Sequence, residues 1–275
     1  MTKPLSLFTA ALLGCSLNIN LSHAADTKPL RVLLITGGCC HDYTKQKDLL
    51  KHGLEARANL IVDQIHADIP PGTSATKPPL PIYGNPDYAK GYDVVIHDEC
   101  AADINDPAII KGVLAPHRAG IPGVNLHCAI HCYRIGNPGE RAESGSERAM
   151  WFDYLGIQSS GHGAQLPIAV SFTATNNAIT HGLNDWTTIN EELYNNVQVF
   201  PTVTPLAHGR LSGAASGFEQ ICALAEGTKG PAAHTAATGA AAPDSQNSAY
   251  CCALTAALIA RCLSRVLPAI RSCMP

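Results

Sequence analysis

The sequence predicts an α/β fold, a doubly wound and mostly parallel sheet with helices on both faces. In the first half of the chain, short apolar segments alternate with segments of helical pattern. The apolar segments are continuously hydrophobic, which is typical of parallel strands covered on both faces. A chain of 275 residues with 46% hydrophobic residues can bury one substantial core, so a single large domain is the simplest organisation.

Four segments rich in Val, Ile and Leu are expected to form the parallel strands: 30–36, 60–65, 92–97 and 121–126. A first helix is expected over 45–58. A second is expected from Asp106 to about Ala119, because Asp106 is a suitable N-cap and Pro107 fits the first helical position. The Pro-, Gly- and Thr-rich segment 70–88 predicts a surface loop.

The pattern is looser after residue 136. A short helix is expected over 150–155, a loop over 159–163 and a strand over 167–172. Glu192 and Tyr194 fall in a polar stretch that could be helical. Whether they reach a binding site or lie on a solvated helix face stays open.

Residues 1–24 resemble an export signal. Lys3 precedes an apolar run, and the small-x-small tripeptide SHA precedes Ala25. The mature protein is therefore expected to begin near Ala25 and to be periplasmic or extracellular, with no transmembrane span after the leader. Alternatively, the segment LLGC resembles a lipoprotein box, which would leave a lipidated Cys15 at a membrane.

The α/β domain is assigned to residues 25–211. Residues 212–275 differ from it, because they are rich in Ala, Gly and Thr and carry five of the 11 cysteines. They are interpreted as an atypical tail that is poorly ordered or results from a frameshift in the gene. In an exported protein, an oxidising compartment would allow some of the cysteines to pair.

The charge distribution disfavours nucleic acid as a partner. The formal net charge is −3, and Lys and Arg do not cluster, so the electrostatic footprint of phosphate-backbone binding is lacking. A small molecule is the expected ligand, and a homo-oligomer is compatible with the sequence.

Chemically active side chains follow three of the four predicted strands. The segment GVNLHCAIHCYR, residues 123–134, ends an apolar strand in two histidines and two cysteines and is expected to turn helical at once. Right-handed crossovers bring the carboxyl ends of parallel strands to one edge of the sheet, where ligands bind. The residues expected to meet there are Gly37, Gly38, Cys39, Cys40, His41, Asp42, Asp98, Glu99, Cys100, His127, Cys128 and His131.

Acid–base chemistry on a hydroxyl or carbonyl group is the first hypothesis. Histidine titrates near neutral pH and carboxylates hydrogen-bond to hydroxyl groups. The predicted catalytic residues are His127, His131, Asp98, Glu99 and, for nucleophilic chemistry, Cys128. The predicted ligand-binding residues are Gly37, Gly38, His41, Asp42 and His162. For Asp98 and Glu99, capping of the next turn is the open alternative.

A divalent metal ion such as zinc could assist this chemistry. His41, His127 and His131 would supply nitrogen ligands, together with a carboxylate. The spacing of His127 and His131 resembles H-x-x-x-H but lacks the Glu of the metalloprotease helix.

Six segments in order resemble the trehalose-utilisation (ThuA-like) family: LLITGG-x-x-HD, YDVVIHDE, GVNLHCAIHCYR, GHG, ITHGL-x-DW and EELYN. The resemblance covers about residues 30–206. It implies a flavodoxin-like domain with the fold of class I glutamine amidotransferases. It also implies a role in the metabolism of disaccharides and their oxidised, keto forms.

The amidotransferase relatives carry a nucleophilic cysteine in a G-x-C-x-G turn. Cys128 would occupy that turn, but His127 and Ala129 flank it and Ile130 replaces the second glycine, so amidotransferase activity is not expected. A carbohydrate-active hydrolase or isomerase is the preferred hypothesis. One alternative is a Cys128-dependent enzyme, because a helix N-terminus and a neighbouring histidine would favour the thiolate of Cys128. The other alternative is a non-catalytic carbohydrate-binding domain.

Overall fold

The computed structural model describes residues 28–173, 175–177 and 179–211, together with the backbone of strands at 220–226 and 233–237. The expected export signal and Cys15 lie outside these residues, so both interpretations of the N-terminus stay predictions. In the part of the chain that is described, every helix is too short or too polar to cross a membrane.

Nine strands form one sheet in the described residues. They are β1 (Leu30–Gly38), β2 (Leu60–Ala67), β3 (Val94–Cys100), β4 (Gly123–Leu126), β5 (Ile157–Phe172), β6 (Trp186–Val199), β7 (Val203–Leu211), β8 (Gln220–Glu226) and β9 (Ala233–Ala237). The α-helices are α1 (Tyr43–Glu55), α2 (Pro107–Arg118) and α3 (Met150–Leu155).

The strand order is β2-β1-β3-β4-β9-β8-β7-β5-β6. Strands β1 to β4 are parallel, and the chain reverses its direction of winding between β1 and β3. Strands β5 to β8 continue the sheet with antiparallel pairs. The α/β class with a doubly wound parallel sheet is confirmed, and its switch point lies at the carboxyl ends of β1 and β3.

Strand β1 is apolar on both faces because each face meets a helix layer. Leu34 packs with Leu50 of α1 on one face. Leu33 packs in the core that contains Ile110 of α2 and Trp151 of α3 on the other. Burial of each such side chain contributes about 1.5–3 kcal/mol, so the continuous hydrophobic pattern follows from the two-sided cover.

Helix α2 begins as predicted, with the Asp106 carboxylate accepting from the Ala108 N–H at 2.8 Å. Helix α1 begins earlier than predicted because Asp42 caps it. The Asp42 carboxylate accepts from the Lys45 N–H at 3.2 Å and pairs with Lys45 Nζ at 2.8 Å. The structure thus shows Asp42 as the N-cap of α1, and its predicted ligand contact stays a prediction.

Two expectations for the second half of the domain are wrong. Residues 159–163 belong to β5 rather than to a loop, and Glu192 and Tyr194 lie in β6 rather than in a helix. The two strands pair antiparallel, with His162 opposite Tyr194 and several register shifts. Polar and glycine-rich segments have weak intrinsic strand preference, so the pairing with a neighbouring strand decides their conformation.

The sheet continues beyond residue 211. The backbone of β8 pairs antiparallel with β7, and that of β9 pairs parallel with β4. The sequence carries no clear signal for either strand. The remainder of 212–275 lies outside the described residues, so the interpretation of this range as an atypical tail stays a prediction.

Two consecutive glycines let β1 approach both of its neighbours. Gly37 and Gly38 have φ angles of 126° and 109°, which disfavour residues with a Cβ. A Cβ at Gly37 would lie 2.9 Å from the backbone oxygen of Ala67 in β2. A Cβ at Gly38 would collide with the backbone oxygen of Cys100 in β3. This close contact sets the position of the loop that follows β1.

Gly38→Ala is expected to lower the free energy of unfolding by at least about 1–3 kcal/mol, because it adds a backbone strain and a collision with β3. Urea denaturation measures the loss. Gly112→Ala in α2 is the matched control, since its Cβ would meet open space and alanine favours helix by about 1 kcal/mol. Equal stability of Gly38→Ala and the wild-type protein would contradict the close approach of β1 and β3.

Candidate functional site

Two neighbouring groups of side chains lie beyond the carboxyl ends of β1, β3 and β4. The histidine cluster consists of His41, His127, His131, His162, Glu192 and Tyr194. The thiol cluster consists of Cys39, Cys40, Cys100 and Cys128. They are linked by His41, whose Nε2 lies 3.1 Å from Cys128 Sγ and whose ring stands 4.4 Å from that of His127.

His127 occupies a strained turn directly after β4. Its φ angle is +45°, in the left-handed region that non-glycine residues rarely adopt. The expected α-helix is a 3₁₀-helix over His127–His131. Because this helix has three residues per turn, His127 and His131 do not share a face through their i, i+4 spacing. They meet instead at Tyr194, with ring centroids 5.0 and 4.5 Å from the Tyr194 ring.

The polar partners of His127 define its protonation state. The Tyr194 hydroxyl lies 2.8 Å from Nδ1 and 3.0 Å from Nε2, and Glu192 Oε2 lies 3.3 Å from Nε2. A carboxylate only accepts, so Nε2–H donates to Glu192 and Nδ1 accepts from Tyr194. Burial lowers the pKa of His127 despite the nearby Glu192 carboxylate. His127 is therefore a neutral imidazole that orients Glu192.

Glu192 is an ionised carboxylate between two imidazoles. Burial raises its pKa, but hydrogen bonds with His127 and Gln165 outweigh this effect, and the pKa falls to about 2. Its Oε2 also lies 3.5 Å from His162 Nε2. An ionised Glu192 beside a neutral His127 is the state that satisfies the geometry and both pKa shifts near pH 7.

His162 is the most solvent-exposed of the three residues His127, His162 and Glu192. Its side chain is 40% exposed, compared with 3% for His127 and 10% for Glu192. The Gly163 carbonyl oxygen accepts from His162 Nδ1–H at 2.9 Å. In the neutral ring, Nε2 consequently carries the lone pair, and Glu192 stands where it would stabilise a proton taken up there.

His131 lies at the back of the cluster, with Nε2 2.9 Å from Ser159 Oγ. Burial, with contributions from Arg134 and His127, lowers its pKa to about 3. His131 is therefore neutral throughout the physiological range. It supports the Tyr194 ring by stacking rather than by exchanging protons.

The predicted catalytic carboxyl groups Asp98 and Glu99 are not brought into the histidine cluster. Both lie inside β3 and are buried, because β3 extends three residues beyond its predicted end. Their side chains point to opposite faces of the sheet. Asp98 accepts from Gln46 Nε2 at 3.1 Å, and burial with the neighbouring Glu99 charge raises its pKa well above the usual range.

Glu99 belongs to a buried chain of hydrogen bonds. The Ile121 carbonyl accepts from His117 Nδ1 at 2.8 Å, His117 Nε2 meets His97 Nε2 at 3.0 Å, and His97 Nδ1 meets Glu99 Oε1 at 2.9 Å. Glu99 Oε1 also accepts from the Tyr133 hydroxyl at 2.7 Å. Glu99 thus serves a buried hydrogen-bond network of the core.

Cys128 follows the strained residue instead of occupying it. In hydrolases with a nucleophile elbow, the nucleophile itself sits at the strained strand-to-helix turn, and here His127 has that position. A contact with Cys100 lowers the pKa of the Cys128 thiol, but a contact with Cys40 and burial raise it further, so the net shift is upward. This geometry does not favour Cys128 as a nucleophile.

Within the described residues, two groups of side chains have their ligand atoms close enough to hold a metal ion. One consists of Cys39, Cys40 and Cys100, and the other of His41, His127 and Cys128, with all ligand atoms in each group within 4.8 Å of one another. Cys128 therefore replaces His131 in the predicted metal set. The nitrogens of His127 are already engaged by Glu192 and Tyr194, so the all-cysteine group is better suited to a metal.

From the sequence alone, it is undecided whether Glu192 and Tyr194 reach a binding site. In the structure, both side chains belong to the histidine cluster. Their i, i+2 spacing places both side chains on one face of β6, which is the available signal. That signal is lost when the segment is interpreted as a helix. The remaining predicted ligand-binding residues, Gly37 and Gly38, mainly permit the close approach of strands.

Glu99→Ala is expected to lower the free energy of unfolding by about 3–5 kcal/mol, since it leaves buried polar partners uncompensated. Glu99→Gln is the matched control, because its amide oxygen can replace Oε1 and accept from both His97 Nδ1–H and the Tyr133 hydroxyl, so its loss should stay near about 1 kcal/mol. Urea denaturation of both variants measures the difference. Equal losses would show that Glu99 is not held by this network.

His131→Gln is expected to flatten the pH dependence of stability. Between pH 6.5 and about 3, unfolded His131 binds a proton that the folded residue does not, so wild-type stability falls as pH falls. The contribution is at most about 1.4 kcal/mol per pH unit, measurable by urea unfolding from about pH 6.5 to 4.5. His52→Gln on the exposed surface of α1 should leave the slope unchanged. The same slope in His131→Gln would contradict a neutral buried His131.

Comparison with known proteins gives one informative likeness. The chain matches no protein-family model and no curated protein. A putative ThuA-like protein from Bacteroides uniformis ATCC 8492 aligns with a TM-score of 0.57 at 13% identity, over 90% of this chain and 96% of that chain.

Two further structures align less closely. One is a putative GMP synthase subunit from Thermoplasma acidophilum, with a TM-score of 0.44 and 12% identity over 86% of this chain and 95% of that chain. The other is PurLQS from Thermotoga maritima, with a TM-score of 0.43 and 10% identity over 85% of this chain and 99% of that chain. The conclusion from these comparisons is that the chain has the fold of the ThuA-like protein.

Proposed function

We propose that this protein is an exported, sugar-directed enzyme that uses acid–base chemistry at the histidine cluster. Its substrate would be a disaccharide or a keto sugar. The observation that carries the proposal is the position of Glu192 Oε2, 3.3 Å from His127 Nε2 and 3.5 Å from His162 Nε2. An ionised carboxylate between a buried and an exposed imidazole is suited to moving a proton at a site open to solvent.

His162 is the base in this proposal. Its Nε2 lone pair would take a proton from a carbon atom next to the sugar carbonyl, and Glu192 would stabilise the imidazolium that forms. The electron pair of the C–H bond moves toward the carbonyl, whose oxygen takes the negative charge, so the product of this step is an enediolate beside the His162 imidazolium. Transfer of the hydroxyl proton between the two oxygens and return of the first proton to the adjacent carbon complete an isomerisation.

His127 and Tyr194 would act as positioning residues. The donated Nε2–H of His127 holds Glu192, and the Tyr194 hydroxyl fixes the tautomer of His127. Because His127 is nearly fully buried, it does not compete with His162 for the substrate. This division explains why a strained φ angle is maintained at His127, since only that turn places its ring between Tyr194 and Glu192.

The sugar class is supported by the six motifs and by the fold. The motifs resemble the trehalose-utilisation family, and a protein described as ThuA-like has this fold. The site chemistry is compatible, because carboxylate and imidazole groups both hydrogen-bond to sugar hydroxyls. The histidine cluster contains neither Lys nor Arg, so its own residues do not demand a phosphorylated substrate.

The test uses purified protein and a panel of disaccharides and keto-disaccharides in D₂O. We expect deuterium to be incorporated at the carbon next to the carbonyl, and NMR measures this exchange. His162→Gln and Glu192→Gln should lower kcat/KM by about 10²–10⁴-fold, as loss of general acid–base catalysis does. His52→Gln is the control, because His52 is exposed on α1 and absent from the histidine cluster.

Three results would contradict this assignment. Calorimetric binding of a disaccharide with neither exchange nor product would identify a non-catalytic carbohydrate-binding domain. Full activity of His162→Gln, or loss of activity after iodoacetamide labelling of Cys128, would instead direct attention to thiol chemistry.

A further inference from the structure

The thiol cluster is not used by the proposed acid–base chemistry. Cys39 and Cys40 follow the two glycines at the end of β1, Cys100 ends β3, and Cys128 follows His127. Gly38 and Cys100 are paired residues of β1 and β3, so the register of these strands brings the cysteines together. They lie at the switch point of the parallel sheet, where α/β folds bind ligands.

Distances between the sulfur atoms are short. Cys39 Sγ lies 2.6 Å from Cys40 Sγ and 3.3 Å from Cys100 Sγ. The Cys40 thiol is also within hydrogen-bonding reach of Cys100 and Cys128, and Cys128 packs against Cys100. The sulfur atoms of Cys39, Cys40 and Cys100 all lie within 4.8 Å of one another, and Cys128 adjoins this group through Cys40 and Cys100.

We propose that Cys39, Cys40, Cys100 and Cys128 form a binding site for one thiolate-preferring metal ion, such as zinc. Four cysteine sulfurs are the ligand set of closed, tetrahedral zinc sites, with Zn–S distances of about 2.3 Å and sulfur atoms about 3.8 Å apart. On binding, the Cys39 and Cys40 sulfur atoms would move apart from 2.6 Å to about 3.8 Å. Each thiol that becomes a ligand releases one proton to solvent, so affinity rises with pH.

A disulfide between the adjacent cysteines is the less suitable arrangement. Neighbouring Cα atoms across a trans peptide are about 3.8 Å apart, below the span of about 4.4–6.8 Å that disulfides usually bridge. The peptide bonds of the described residues are all trans. A metal ion can bind both thiolates without requiring the Cα–Cα distance of a disulfide.

Burial of the ligands is graded. Cys100 and Cys128 are buried, Cys39 is partly buried and Cys40 is exposed. A metal ion can therefore reach the site from solvent through Cys40 and be held on its inner side by the sheet. Cys40 has a φ angle of +84°, a strained conformation that turns the chain tightly between two cysteine ligands.

The site has a defined relation to the histidine cluster. Cys128 Sγ lies 3.1 Å from His41 Nε2, and the His41 ring meets the His127 ring edge to face. Metal binding would hold the loop after β1 and the turn after β4 in a fixed relation. The proposal does not depend on the sugar chemistry, because metal binding is measured without a substrate.

The test titrates the full chain, purified under reducing conditions, with Zn²⁺ against a chromophoric chelator, and with Co²⁺ as a spectroscopic probe. We expect one Zn²⁺ per chain and an intense thiolate-to-cobalt band in the near ultraviolet. Cys40→Ser should weaken zinc affinity at least about 100-fold, since loss of a direct ligand should cost no less than loss of an outer-shell partner. Cys40 is exposed, so this variant should fold.

Cys132→Ser is the matched control. Cys132 is buried outside the cluster, and a serine keeps the hydrogen bonds that its sulfur makes with the Ala101 N–H and the Glu99 carbonyl. Its zinc affinity should equal that of the wild-type protein. The proposal is overturned by an equal loss in both variants, by zinc binding without a thiolate band, or by a Cys39–Cys100 disulfide in the reduced preparation.

Discussion

The close approach of β1 to β2 and β3 is the constraint on which both clusters depend. It is possible because Gly37 and Gly38 lack a Cβ and adopt positive φ angles. The loop after β1 is thereby held against the end of β3 and the turn after β4. Without this contact, the cysteines of that loop and His41 would lie too far from Cys100 and Cys128 to interact.

The protein treats its buried polar groups in two ways. In the core beside α2, Glu99, His97 and His117 form a fully buried chain of hydrogen bonds. At the histidine cluster, Glu192 stays charged because two imidazoles and Gln165 surround it and part of its surface is open. Desolvation is costly for an unpaired charge, so the carboxylate available for chemistry is the one near the surface.

The predictable part of the molecule is the part with strong local signals. The parallel strands, the Asp106 cap and helix α3 follow from hydrophobic pattern and capping chemistry, which act over a few residues. Of the long strands β5 and β6, only the end of β5 at 167–172 is predicted from the sequence, since the polar residues elsewhere become strand only by pairing with each other. The expected position of Asp98 and Glu99 at the rim of the sheet differs from the observed one for a related reason, because a strand end that shifts by three residues turns rim positions into core.

The sequence by itself determined the α/β class, the glycine turn after β1 and the concentration of His and Cys at strand ends, because these depend on local composition and on the topology of parallel strands. Tertiary structure alone decided which of those residues meet. It placed Glu192 beside His127 and His162, brought Cys39, Cys40 and Cys100 together at the switch point with Cys128 next to them, and buried Asp98 and Glu99 in the core. Such neighbours come from segments about 30 to 90 residues apart, and only the packing of the folded chain determines their distances.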